Sequence, residues 1–108
     1  MFRHGDVQII PMAEKPEGEL QAVQRDNGRA ILAYGEVTGH AHAIEEDNVF
    51  LWKTKGANDN DELFLEIRER PVCLRHEEHK TITLKAGWYR RGIKRQYDEN
   101  HGWNNVQD

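Results

Sequence analysis

One cysteine in 108 residues, Cys73, excludes an intrachain disulfide, and a reducing cytoplasm is the default compartment. Within Pro71-Val72-Cys73-Leu74 it reads as a small buried hydrophobe rather than a nucleophile. No apolar run approaches the roughly 20 residues that cross a bilayer, so no membrane partner is expected. The start, Met1-Phe2-Arg3-His4-Gly5-Asp6, lacks the apolar core of a signal peptide. A net charge of −4 argues against nucleic acid or anionic lipid as a whole-surface partner and leaves room only for a local basic patch. Internal repeats, low-complexity segments and a convincing amphipathic helix are also missing. A hydrophobic fraction of 37% with 31% charged residues fits one soluble domain with a single core.

What is present is strand-like. Asp6 to Ile10 is a short strand candidate stopped by Pro11, and Lys15-Pro16-Glu17-Gly18 reads as a turn. Asp26-Asn27-Gly28 separates Leu20–Arg25 from Arg29–Tyr34, and Asn-Gly between two such runs predicts a hairpin. Gly35 and Gly39 suggest a bend or bulge around Glu36-Val37-Thr38. His40–Ile44 and Val49–Thr54 predict a second hairpin with Glu45-Glu46-Asp47-Asn48 as its turn. Gly56 to Glu62 is an acidic loop. Over Leu63 to Arg68 the run alternates, with Leu63, Leu65 and Ile67 facing one way and Glu66 and Arg68 the other. Val72–His76, Lys80–Lys85 and a long run over Trp88–Tyr97 complete the strands. A polar tail is expected from about residue 98 of a single β domain spanning 1–108. Short strands at close spacing predict an all-β fold, a small β-barrel or β-sandwich.

Four of the six histidines fall in two clusters, Gly39-His40-Ala41-His42-Ala43-Ile44 and His76-Glu77-Glu78-His79. Residues at i and i+2 share a strand face, so His40 and His42 project together. His76 continues the apolar face of Val72 and Leu74. His79 joins that side only if Glu77-Glu78 makes a turn. Imidazole is the commonest protein metal ligand, and two clusters distant in sequence converge only through a fold. The candidate ligands are therefore His40, His42, His76 and His79, with Glu46 or Glu77 as a carboxylate. Such a set suits a divalent transition metal, Zn, Fe, Mn, Ni or Cu, and nothing in it selects among them. Taken singly, each histidine is explained better by a surface or hydrogen-bonded core position, and it is the joint pattern that points to a metal. His4 and His101, near the termini, are expected to be surface residues.

His40-x-His42 followed by Glu46, with His76 as a later histidine, resembles the first signature of the cupins, which implies a cupin-like barrel with a His/Glu metal site. This chain lacks the Pro-x-Gly of the second cupin signature, and Lys80 stands at its asparagine position. A second likeness covers most of the chain. Gly35-Glu36-Val37-Thr38-Gly39-His40-Ala41-His42, then His76-Glu77-Glu78-His79, Gly87-x-Tyr89 and Gln96-Tyr97 resemble a group of small uncharacterised bacterial and phage proteins without an established activity. That likeness implies a small self-standing protein and supplies no mechanism.

Trp88-Tyr89-Arg90-Arg91-Gly92-Ile93-Lys94-Arg95-Gln96-Tyr97 mixes cations with aromatics. It reads first as a solvated edge strand, then as a protein interface, and last as a nucleic-acid strip. Two functions follow. One is a metal-binding β protein that takes a small molecule, with Glu77 or Glu78 as the nearest general-base candidate, unless they form only a solvated turn. The other is a non-catalytic accessory protein that docks a partner or a second copy through the aromatic-basic strand.

Overall fold

The computed structural model of the chain describes residues 1–35, 40–54 and 62–93, with the backbone of strands at 95–98 and 102–105. These residues form twelve strands and no helix, and so include no helix able to cross a membrane. A six-stranded antiparallel sheet runs in the order β1 (Phe2–His4), β2 (Val7–Met12), β10 (Gly87–Ile93), β7 (Leu63–Ile67), β6 (Val49–Thr54) and β3 (Leu20–Val23). A four-stranded antiparallel sheet runs β4 (Ala30–Tyr34), β5 (Ala41–Ile44), β8 (Val72–Arg75) and β9 (Ile82–Leu84). β11 (Arg95–Asp98) and β12 (Gly102–Asn105) pair only with each other.

The two larger sheets share one core. Val7, Ile9, Leu51, Leu65, Ile67 and Tyr89 come from the first, and Leu32, Ile44, Val72, Leu74 and Leu84 from the second. Burying each large aliphatic side chain contributes about 1.5–3 kcal/mol. Among the described residues the sheets do not close into a barrel, so the all-β expectation holds while the cupin-like barrel does not form.

The turns explain why the sheets divide. Asn27 and Gly28 have φ of 52° and 77°, and Asp26 and Arg29 exchange both backbone hydrogen bonds, at 2.9 and 3.0 Å. This is a type I′ turn at the Asn-Gly pair, but the hairpin expected across it does not form. The strands beside it then part, β3 pairing with β6 and β4 with β5. The second expected hairpin is not one: β5 pairs with β4 and β8, whereas β6 pairs with β3 and β7. Both turns are corners between sheets, and one side chain fastens them. Arg25 donates to the carbonyls of Gly28, Ile44, Glu45, Glu46 and Val49, at 2.9 to 3.4 Å.

Other expectations move by smaller amounts. β2 runs through Pro11 rather than stopping there. β1 ends opposite Ile9, so that flank is open beside Pro11, the setting in which a strand tolerates proline. The long C-terminal run is two strands, and what reads as a polar tail contains β12. β10 is no edge strand, since it lies between β2 and β7. β7 buries Leu63, Leu65 and Ile67 as the alternation predicts, and Phe64 on the opposite face is buried as well. Cys73 is only half-buried. The bend at 36–39, most of the acidic loop at 56–62 and His101 lie outside the described residues.

Candidate metal centre

Each sheet delivers histidines to one place. β1 turns into β2 through Gly5, at φ 63°, and this register sets His4 opposite the core residue Val7. Directly opposed residues of an antiparallel pair share a face, so His4 points inward and is 2% exposed. His42 on β5 is 0% exposed. His76 extends the Val72-Leu74 face beyond β8 and is 8% exposed. The connection to β9 bends at Glu77-Glu78 and brings His79 back beside it. Ring centroids lie 4.4 Å apart for His42 and His76, 4.6 Å for His76 and His79, 5.0 Å for His4 and His42, and 5.8 Å for His40 and His76.

Two ligand groups share His76. One is His42, His76 and His79; the other is His40, His76 and Glu77, and within each group the ligand atoms lie within 4.8 Å of one another. Ligands on a tetrahedral zinc stand about 3.3 Å apart, from bonds of about 2.0–2.1 Å, so side-chain adjustment suffices to close either group. His40, His42, His76 and His79 are thus all brought together around His76. Glu46 is not: its Oε2 accepts the Cys73 backbone N–H at 2.7 Å, which ties it to β8.

The hydrogen-bond chain fixes the tautomers. The Lys80 carbonyl only accepts, so His4 Nε2, 3.0 Å away, carries the hydrogen. Burial, then the neighbouring His42, pushes the His4 pKa down to about 4, so its ring is neutral and Nδ1 is a lone pair. His42 Nδ1, at 2.9 Å, must then donate to it. A neutral His42 consequently presents the lone pair of Nε2, with the Asp6 carboxylate 3.5 Å away. Metal-bound histidines usually donate their other ring N–H to a fixed acceptor, and His4 supplies that acceptor here.

His76 is held differently. Its Nδ1 accepts the Glu78 backbone N–H at 3.0 Å, which puts the hydrogen of a neutral ring on Nε2. Gly35 leaves room for this ring, since a Cβ there would come within 3.2 Å of His76 Nε2 and 3.1 Å of His40 Cβ. Glu77 accepts the Ala41 backbone N–H at 2.8 Å, and that bond holds its carboxyl below the usual carboxylate range. Glu77 is therefore a ligand candidate more than a proton acceptor tuned to neutrality. Glu78 lies with its Oε2 3.6 Å from His40 Nδ1 and is exposed.

Polar surroundings extend the cluster. Arg91, turned inward from β10, donates to the Leu32 carbonyl at 2.6 Å. Burial lowers its pKa, and the attraction of Asp6 opposes that. A cleft of about 200 Å³ reaches His76 and Glu77 from outside and is flanked by Arg29 and Arg75. The sequence reading places His4 at the surface, whereas it is 2% exposed, and it missed Asp6. The signal was available: Gly5-Asp6 between Phe2-Arg3-His4 and Val7-Gln8-Ile9 is a two-residue hairpin turn, and its register alone puts His4 on the Val7 face.

The family model of a domain of unknown function, DUF8820, matches residues 3–96. No curated protein and no solved structure matches the chain.

Proposed function

The chain belongs to the DUF8820 family, and we propose that it is a small metal-binding β protein of a reducing cytoplasm. One divalent first-row ion is held by His42, His76 and His79, with His40 and Glu77 as alternative ligands. The observation that carries this reading is the pair of three-ligand groups sharing the buried His76. A ligand set of nitrogen and carboxylate oxygen fits zinc, iron, manganese, nickel or copper. The His4–His42 bond supports it by orienting one ligand in advance. Three protein ligands leave a coordination position, and the cleft flanked by Arg29 and Arg75 reaches His76 and Glu77, two members of the second ligand group. A bound ion supplies Lewis acidity and lowers the pKa of water. The protein's part is to orient His42 through His4 and to hold Glu77 ionised through Ala41. The cupin likeness then concerns the spacing of ligands and not the closure of a barrel.

Metal binding has a local cost that identifies it. An ion on His76 Nδ1 replaces the Glu78 hydrogen bond, and an ion on Nε2 demands the other tautomer, which gives the same bond up. The Glu78 amide resonance should therefore shift when metal is added. The decisive experiment uses protein purified without a histidine tag. Near neutral pH a chelator should lower the melting temperature, and stabilisation should reach about 2.7 kcal/mol at a hundredfold excess of free metal over its dissociation constant. The double variant His42→Ala/His76→Ala should ignore the chelator. If elemental analysis finds no retained ion and no first-row divalent ion shifts the melting temperature, the histidines are structural and the accessory-protein reading replaces this one.

A further inference from the structure

We propose that the outer face of the six-stranded sheet carries a second site, a cleft for a neutral polyhydroxylated ligand of the size of one or two pyranose rings. The proposal is independent of the metal reading. The cleft measures about 630 Å³ and is lined by Trp52, Glu66, Trp88, Arg68, Lys15 and Glu19, among others. That volume lies in the usual range for small-molecule sites, about 300–1,000 Å³.

The pleat builds it. Leu51, Leu65 and Tyr89 face the core, so Trp52, Glu66 and Trp88 face outward on the adjacent strands β6, β7 and β10. Trp88 stands directly opposite Glu66. The connection from β2 to β3, with Pro16 buried and Gly18 at φ 87°, brings Lys15 and Glu19 over the same face. Both tryptophans are half-buried, which leaves part of each indole to the cleft.

The polar floor is already arranged. Trp52 Nε1 donates to Glu66 Oε1 at 3.2 Å, and Arg68 donates to both Glu66 oxygens at 3.0 Å. The Arg68 guanidinium also sits 4.1 Å from the centroid of the Phe50 ring. These bonds fix an ion pair against aromatic faces, so little ordering is left for a ligand to impose.

Charge then selects the ligand class. Lys15 and Arg68 balance Glu19 and Glu66. An ammonium ligand would have to displace Arg68 from Glu66, and a phosphate would have to displace Glu66 from Arg68. A neutral ligand disrupts neither. Hydrogen bonds from charged groups to hydroxyls are stronger than neutral ones, and indole faces accept the apolar C–H face of a sugar ring. A pyranose presents both surfaces at once.

The test is calorimetric titration of the full chain in chelator with cellobiose, maltose and lactose. Tetramethylammonium chloride and inorganic phosphate serve as the charged probes. Two of the three tryptophans line the cleft, so intrinsic emission gives a second readout. At least one sugar should bind saturably and shift the emission, while neither ion does so. Trp88→Leu should weaken binding by about tenfold or more, the equivalent of about 1.4 kcal/mol. Lys15→Ala, at an exposed position, should weaken it several-fold, and it decides the matter if Trp88→Leu fails to fold. No saturable sugar response, a response to tetramethylammonium or phosphate alone, or sugar binding unchanged in the folded variants each overturns the proposal. Self-association of the chain that Trp88→Leu abolishes, without sugar binding, overturns it in favour of a contact between copies.

Discussion

Two polar regions join the sheets, and they do so in opposite ways. At the corner, Arg25 spreads one permanent charge over five backbone carbonyls. Every contact there is a donor meeting an acceptor, and the arrangement is complete within the chain. At the histidines, His4 and His42 meet nitrogen to nitrogen, and the Asp6 carboxylate faces His42 Nε2. Under the metal reading proposed above, a cation would lie among these rings. The corner is an arrangement of one side chain with backbone alone, whereas the cluster groups side chains from both sheets at distances that could suit a metal ion.

The comparison breaks if the corner is dispensable. Arg25→Ala should therefore show the largest effect, about 3–4 kcal/mol of lost stability, because carbonyls from both turns lose a charged donor at once. Denaturant unfolding would measure it. The loss should be equal with and without chelator, since Glu46, the one sequence candidate among the Arg25 partners, is held away from the histidines by Cys73. A loss below about 1 kcal/mol would show that the corners are held by the core alone.

Next in size is the pH response of His4. The unfolded chain takes up this proton near pKa 6.5 and the folded chain near 4. Between those values the unfolded state binds more protons, so stability rises with pH. The contribution is complete above about pH 6.5, is lost as pH falls toward 4, and changes no further below that. Its full extent is at most about 3 kcal/mol. Measured in chelator, the pH–stability curve of His4→Gln should lack this component. Curves of wild type and variant that run parallel from pH 6.5 to 4 would show that His4 is not buried as a neutral ring.

How much of this was legible in the sequence follows from whether local parity or long-range pairing decided it. The face shared by Val72, Leu74 and His76 is a local pattern, and it placed His76 correctly. His79 needed only the bend at Glu77-Glu78. The Asn27-Gly28 turn was legible because few dipeptides accept two positive φ angles in a row. Which sheet each flanking strand joins was not, since a short turn serves a hairpin or a corner equally well. Arg25 settles that with bonds to backbone carbonyls, and such bonds leave no side-chain signature. The tryptophan cleft was hidden for the same reason. It requires β6, β7 and β10 to be neighbours, an order set by pairings between distant segments. Arg91 also illustrates it: one strand of mixed cations and aromatics is split by the pleat, with Arg90 outward and Arg91 inward.

Two glycines sharpen the comparison with the smallest effects. Gly28 belongs to the corner, where its carbonyl accepts from Arg25, and its φ is 77° with nothing within 4 Å of an added Cβ. Gly35 belongs to the histidines, where an added Cβ meets His40 and His76 at 3.1 and 3.2 Å. Gly28→Ala therefore imposes backbone strain without touching a ligand. It should cost about 1 kcal/mol of stability and leave metal affinity unchanged. Gly35→Ala imposes no left-handed strain, but its Cβ presses on a backbone-anchored atom of His40 and on the ring of His76. The two rings must separate by a few tenths of an ångström. Metal affinity should fall several-fold while the metal-free protein melts within a few degrees of wild type. Metal titration and thermal melts of both variants give four numbers, and the expected pattern is crossed. If Gly28→Ala weakens metal binding as much as Gly35→Ala does, the corner and the cluster are one cooperative unit and the contrast between them does not hold.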